Sequence, residues 1–418
     1  MTTITKNTDV ASATIDPVNW NQNGWETCAA SAFDVIIYTY NSGAVYSIDS
    51  GATFHYIDAN GLCARYGKTL SGDQVVIFLP TINQFAWVML TGVGDQNMVL
   101  ALASPEEIKD SGGTSWATYL IPPGQFGDGR SLFDRPSVSV GDYFLYIAVN
   151  LQQAGTSIAI RLSLEELKER RPVHLIYFVA TPGVFFMRPT QNTGFTAYFA
   201  ALMYVKHDGG QQFVSNIRVF AWPETSDTVS WFDVPIAAVP TQGGTVQTPL
   251  RADWLANGRS AVQILGLALS TRNELWAAWS GNRTIPNPPP DIPTLSFPYP
   301  HIGIAVIDVS TRQLKSQRYI WNRNHAFVFP DLAADDLGDV GLSFCWGGGQ
   351  YDPQFGVGIL TGTDQSLISM TQGRSSGAGG DYVSIRLSFP DVYRFAAAGF
   401  NVMPPGPQNR PHYVIFAS

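Results

Sequence analysis

The stretch Ser47-Ile48-Asp49-Ser50-Gly51-Ala52-Thr53-Phe54 decides how the rest of the chain is read. It lies between two runs of strand character, Phe33–Tyr40 before it and Thr53–Ile57 closing it. Apolar alternation, an Asp-Ser-Gly turn and renewed alternation predict a β-hairpin. Asp49 can accept hydrogen bonds from the backbone of its own turn. Gly51 tolerates the positive φ such a turn requires, and Thr53 and Phe54 restart a strand.

Outward from this hairpin, a four-strand unit recurs along the chain. Its first copy spans about Thr27 to Ile57. A second has Val75–Leu79, Phe85–Thr91, Met98–Ala103 and Trp116–Ile121, and a third has Pro136–Val140, Phe144–Val149, Ser157–Leu162 and His174–Val179. Three more follow, opening near Phe185, Ala261 and Pro330. The last copy offers three strands, Tyr382–Ser388, Tyr393–Phe400 and Tyr413–Phe416. Two units align, Asp134-Arg135-Pro136-Ser137 onward over Phe329-Pro330-Asp331 onward, each with a Pro, a short apolar alternation and a Gly/Asp turn. Recurrence of four-stranded units marks propeller blades rather than a helical solenoid. The expectation is an all-β chain forming a single β-propeller over residues 1–418, with seven four-stranded blades and six or eight as the margin. The blades fall at about 26–60, 73–122, 134–180, 185–235, 259–321, 328–371 and 380–418. An N-terminal strand within residues 1–25, placed in Asp9–Trp20, completes the last blade and removes an open edge.

Composition agrees. Charged residues are only 14%, while 39 Gly, 27 Pro and 12% aromatics suit many short strands joined by turns. The formal charge of −8, with no basic run to offset it, argues against nucleic acid as a partner. No apolar run reaches the roughly 18 residues of a membrane span. The polar N-terminus lacks a signal-peptide pattern, so a cytoplasmic protein, a mature form, or export without a cleaved signal is expected. Cys28, Cys63 and Cys345 form no disulfide framework or metal motif and read as buried free thiols, with a Cys28–Cys63 bridge as the alternative. Ser104-Pro105-Glu106-Glu107 and Ser163-Leu164-Glu165-Glu166 carry the N-cap pattern of short helices.

The pattern Ser47-x-Asp49-x-Gly51-x-Thr53-Phe54 resembles the Asp-box of the sialidase-like (BNR/Asp-box repeat) β-propellers. The segments Asp134-Arg135-Pro136-Ser137, Phe329-Pro330-Asp331, Gly380-Asp381-Tyr382 and Phe389-Pro390-Asp391 look like parts of propellers of that superfamily. The resemblance implies a turn on the outer part of a blade, away from the channel, so the motif reports the fold and not the site. It also implies, for the family's enzymes, an arginine triad, a Tyr–Glu nucleophile pair and an aspartate acid/base. Arg135, Arg188 and Arg259 are the residues available for a triad and Tyr382 for the tyrosine. Arg135-Pro136 lacks the intervening Ile of the family's Arg-Ile-Pro motif.

In a propeller the first strand of each blade lines the central channel, so residues just before those strands form one rim. They are Glu26, Asp73, Asp134, Arg135, Arg188, Arg259, His325, Asp381 and Tyr382. Asp134, Asp381, Tyr382 and Glu26 are the catalytic candidates. Arg135, Arg188, Arg259, His325 and Trp346 are the ligand-binding candidates, the arginines because a planar guanidinium bonds carboxylates and hydroxyls in pairs. The structural alternative is that these charges pair across the channel and close the wheel. Most strand tryptophans should pack between blades, with Trp25 and Trp254 free to stack on a sugar. The six histidines show no zinc-ligand spacing. Asp335, Asp336 and Asp339 around Gly338 are the one place for Ca²⁺, but a solvated turn is the better explanation of them; no cofactor is expected. Recognition of carbohydrate or a small organic ligand at the channel mouth is the expected function. An enzyme using rim acids and arginines (a glycoside hydrolase, a lyase or another small-molecule transformation) and a protein-interaction scaffold are the alternatives.

Overall fold

The computed structural model describes residues 2–16, 26–92, 96–126, 132–181, 183–191, 193–206, 212–240, 254–255, 262–281, 297–361, 364–369, 382–403 and 408–418. Five blades stand as separate four-stranded antiparallel sheets. Their first strands are Leu70–Leu79, Phe133–Val140, Arg188–Pro189, Ile264–Leu269 and Ala326–Ala334. The other eight strands form one sheet. One half holds Cys28–Ala32, Val35–Tyr40, Gly43–Ser47 and His55–Ile57. The other holds Ser384–Phe389, Asp391–Met403, Gln408–Ala417 and Thr3–Asp9. The halves meet where Cys28–Ala32 runs parallel to Ser384–Phe389, with Ser31 opposite Ser388 and Ala32 opposite Phe389. This corrects the expectation of seven separate four-stranded blades to five, because backbone pairing fuses the first and last quartets into a single sheet.

The innermost strands touch one another in sequence, and Ser384–Phe389 returns to Cys28–Ala32, so the ring is closed around a channel. The N-terminal strand lies along the C-terminal one, Thr3 opposite Ala417 and Asp9 opposite His412. It is thus Thr3–Asp9 that covers this edge, and not the later Asp9–Trp20.

Inner and middle strands are apolar at consecutive positions because neighbouring blades cover both faces. Phe144–Leu151 and Gln84–Thr91 are buried almost throughout, whereas the outermost Gln313–Ile320 is exposed or half-buried at all but its last residue. The apolar clusters straddle adjoining blades. Tyr146 and Ala159 pack on Phe199 and Trp222, and Ala29, Tyr38 and Phe54 pack on Ala396, Ala398 and Tyr413. Close approach is set by small residues: a Cβ on Gly399 would fall on the Phe355 ring of the neighbouring blade. Trp87, Trp222 and Trp279 are fully buried, in keeping with packing between blades. Trp254 is also buried, edge-on to Phe329, so it packs in the core and is not free to stack on a sugar. Trp231 and Trp321 are the exposed strand-associated exceptions. All three cysteines are buried and free.

The opening stretch is a tight turn between Gly43–Ser47 and His55–Ile57. Asp49 Oδ1 accepts from the backbone of Ala52 and Thr53, both at 2.9 Å, and from the Ser47 hydroxyl at 2.7 Å. Asp49 Oδ2 takes the Thr53 hydroxyl at 2.7 Å. Opposed only by slight burial, these bonds hold its carboxyl down at about 2. The helix Pro105–Ser111 has the expected Ser104 N-cap and adds a full capping box, Ser104 and Glu107 bonding each other's backbone N–H. At Ser163 only half of the box forms. Its hydroxyl accepts from the Glu166 N–H, but the Glu166 carboxylate turns to the backbone and ring of His174. Asp335 accepts from the backbone N–H of Leu337 and Asp339 within its own turn. Among the described residues no helix is long and apolar enough to cross a membrane, and no cluster of His, Cys, Asp and Glu is arranged to hold a metal ion.

Candidate functional site

An open cavity of about 590 Å³ at one mouth of the channel is lined by Glu26, Asp73, Asp134, Arg135, Gln152, Phe185 and Phe186. Glu26 precedes Cys28–Ala32, Asp73 lies near the start of Leu70–Leu79, and Asp134 and Arg135 open Phe133–Val140. Inner strands that start at one end therefore deliver three carboxylates and a guanidinium from three successive blades to one space.

The backbone is distorted to do this. Glu26, Arg135 and Phe186 have left-handed φ of 58°, 50° and 61°, a region few non-glycine residues adopt. Such strain is kept where surrounding structure enforces it, often where a side chain has a task. The ladder between Phe133–Val140 and Phe144–Leu151 bulges between Asp134 and Ser137, and the bulge re-aims Asp134 and Arg135 toward the channel. The same device recurs at Phe329, with φ of 57° directly before Pro330 and a bulge between Val328 and Asp331. The sequence alignment of Arg135-Pro136 with Phe329-Pro330 thus has a shared backbone conformation behind it.

Asp73 is the chemically distinctive member. Its Oδ2 accepts the backbone N–H of Arg135 at 2.9 Å, and it shares a side-chain hydrogen bond with Glu26. Burial raises its carboxyl well above the usual carboxylate range, and the charges of Glu26 and Asp134 push the same way, with Arg135 opposing them. Glu26 also accepts from the side-chain amide of Asn41. The Arg135 guanidinium lies over the Phe186 ring, 5.0 Å from its centroid.

Deeper in, two small chambers follow. One of about 20 Å³ is bounded by Arg135, Asn150, Phe186, Arg188, Gln263 and Tyr382 among others. Tyr382 is buried, its hydroxyl bonds no described group, and burial, then the charges of Asp73 and Glu26, raise its pKa well above the usual phenol value. The second chamber, about 30 Å³, lies between Arg188 and Arg386. Here Asp331 ties the wheel together. Its Oδ2 accepts from the Ile385 N–H at 3.1 Å, Gln191 Nε2 at 3.2 Å and Arg386 Nη1 at 3.4 Å, and its Oδ1 accepts from its neighbour Leu332 N–H at 3.0 Å. The charged pair in this deep layer, Asp331 with Arg386, joins adjoining blades and involves none of the rim residues read from the sequence.

Of those rim residues, Glu26, Asp73, Asp134 and Arg135 share the cavity, and Arg188 and Tyr382 lie below it. His325 and Trp346 are together but elsewhere, ring centroids 4.9 Å apart, in a cluster with Phe327 and Tyr351. Neither lines the cavity or the two chambers. Arg259, Asp381 and Trp25 lie outside the described residues. Sequence reasoning missed Phe185, Phe186, Gln191 and Arg386. Arg386 had a readable signal, a lone charge between Ile385 and Leu387 in an otherwise uncharged strand.

No protein-family model matches the chain, and no curated protein matches it in sequence. Among solved structures it is similar to the α-L-arabinofuranosidase Arb93A from Fusarium graminearum in complex with an iminosugar inhibitor, at 10% identity and a TM-score of 0.47 over 99% of this chain and 97% of that one. It is similar to the Dos1 propeller at 7% identity and a TM-score of 0.46, over 95% and 93% of the chains. The polysaccharide lyase Uly1 gives 8% identity and a TM-score of 0.46, over 94% and 89%. Likeness at this level says nothing about the chemistry of this chain.

Proposed function

We propose that the channel mouth binds a carbohydrate and cleaves a glycosidic bond in it, with Asp73 as the proton donor and Asp134 as the second carboxylate. The observation that carries this reading is the convergence of Glu26, Asp73 and Asp134 on one open cavity, with the Asp73 carboxyl raised well above the usual range by burial and by the charges of Glu26 and Asp134. Glycoside cleavage needs one carboxyl that keeps a proton for the leaving oxygen and another that does not, flanking the bond. Burial and like charge at Asp73 supply the first condition. Arg135 and Gln152 offer donors for sugar hydroxyls, and Phe185 and Phe186 offer apolar faces for the ring. A pocket of this kind, concave and lined by a few convergent polar groups and aromatics, fits a small ligand better than a protein partner.

Recognition without turnover is the second reading. It is favoured by the engagement of Asp73 with the Arg135 backbone and of Glu26 with Asn41, bonds that a purely structural acid would also make.

A glycan array together with a panel of fluorogenic glycosides tests both. Turnover by the wild type, falling by about 10²-fold or more in Asp73→Asn while glycan binding persists, is the expected result. Binding with no turnover by the wild type removes the hydrolase and leaves the second reading. Silence in both assays overturns the carbohydrate reading and favours a scaffold.

A further inference from the structure

We propose that the inner chamber between Arg188 and Arg386 is a binding site for one small monovalent anion of the size of chloride. The inference is independent of what binds at the channel mouth.

The charged side chains around this chamber are two guanidiniums, Arg188 and Arg386, and one carboxylate, Asp331. The balance is one uncompensated positive charge in an interior position. Asp331 cannot serve both arginines. Its two oxygens already accept two backbone N–H groups, the Gln191 amide and one nitrogen of Arg386. Arg386 is further held by the Ile385 carbonyl at 2.9 Å. Arg188 makes a single hydrogen bond among the described residues, from Nε to the Leu265 carbonyl at 2.9 Å. Its remaining N–H groups are left for whatever fills the chamber. A second donor is also waiting, since the buried Tyr382 hydroxyl on the chamber wall has no partner among the described residues.

Arg188 is half-buried, but a buried hydroxyl left unbonded beside a surplus of guanidinium charge is costly, and an anionic guest relieves both. The space of about 30 Å³ is enough for a small guest such as one halide or one water. Water satisfies the hydroxyl but leaves the charge; a halide satisfies both. Burial tends to raise the Asp331 carboxyl, and if it takes up a proton the local charge becomes still more positive. Burial lowers the pKa of Arg188; the charge of Asp331 opposes this and that of Arg386 adds to it.

The test uses the full chain and simple salts. Crystals soaked in sodium bromide should show an anomalous peak in the chamber beside Arg188 and Tyr382. In solution, the thermal midpoint should rise with sodium chloride relative to sodium gluconate at equal ionic strength, by about 1.5 °C per tenfold increase in chloride above the dissociation constant. Arg188→Met should abolish the difference between the two salts, and Tyr382→Phe should weaken it. Should Arg188→Met fail to fold, Tyr382→Phe decides, because it removes only a hydroxyl; unchanged halide occupancy and an unchanged chloride effect there would count against the site. The proposal is overturned by a chamber holding only water in bromide, by midpoints equal in chloride and gluconate, or by a bromide peak without any effect in solution.

Discussion

His301 gives the sharpest stability prediction. It opens the strand His301–Asp308, is 2% exposed, and stacks on Phe297 with ring centroids 3.8 Å apart. Its Nδ1 has no partner among the described residues. Burial alone lowers its pKa from 6.5 to about 3. Between those values the unfolded chain carries a proton on this residue that the folded chain does not. Stability contributed by the neutral ring is therefore complete above about pH 6.5 and is lost as the pH falls. The loss from this one residue is about 2 kcal/mol at pH 5 and about 3 kcal/mol at pH 4. Replacing the imidazole by a benzene ring, His301→Phe, keeps the stack and removes the titration. Urea unfolding of both proteins at pH 7, 6, 5 and 4 provides the measurement. The wild type should lose stability relative to the variant by those amounts, with most of the divergence below pH 6. Parallel decline of the two proteins to pH 4 would refute the claim that His301 is buried neutral.

Three further outcomes are expected. Activity that depends on the proton of Asp73 should be present at low pH and fall as the pH rises through its elevated pKa, a limb that a pH profile of kcat/KM should show and that Asp73→Asn should lack. Asp49→Ala should lower stability by about 1 kcal/mol, the solvent at this exposed turn screening what four hydrogen bonds would otherwise supply, and calorimetry should find a midpoint about 1 °C lower. Because its carboxyl sits at about 2, that contribution is present above about pH 4 and fades as the pH falls toward 2. Gly399→Ala should cost about 3 kcal/mol by forcing a methyl into the Phe355 ring, and Phe355→Leu in the same chain should recover part of it in chemical denaturation.

How far the sequence could be read depends on the range of the interactions involved. Strands such as Phe85–Thr91 and Met98–Ala103 were visible because alternation, turn residues and β-branched or aromatic content are local. The N-cap at Ser104 was visible for the same reason. At Ser163 the N-cap formed but the box with Glu166 did not, since His174 outcompeted the helix N-terminus for Glu166. The fusion of the first and last quartets was not readable. It rests on two residue pairs, Ser31 with Ser388 and Ala32 with Phe389, from opposite ends of the chain. At the site, position before an inner strand was enough to bring Glu26, Asp73, Asp134 and Arg135 to notice, because the propeller geometry carries those positions to one rim. It could not distinguish His325, whose ring turns toward the aromatics of its own blade. Nor could it pair Asp331 with Arg386, an ion pair between different blades.

The pairing of Thr3–Asp9 with Gln408–Ala417 sets an order of events during synthesis. Thr3–Asp9 is made long before its partner strand and can be placed only after that strand has emerged. Until then the Cys28–Ala32 quartet also lacks the strand beside it, and two backbone edges stand open at once. Contacts of such long sequence separation form slowly, because the chain must give up much freedom before it gains them. The ring thus folds as an open arc for most of its assembly. Closure is a late, all-or-none step, and during that interval the nascent protein is most exposed to pairing with the wrong strand.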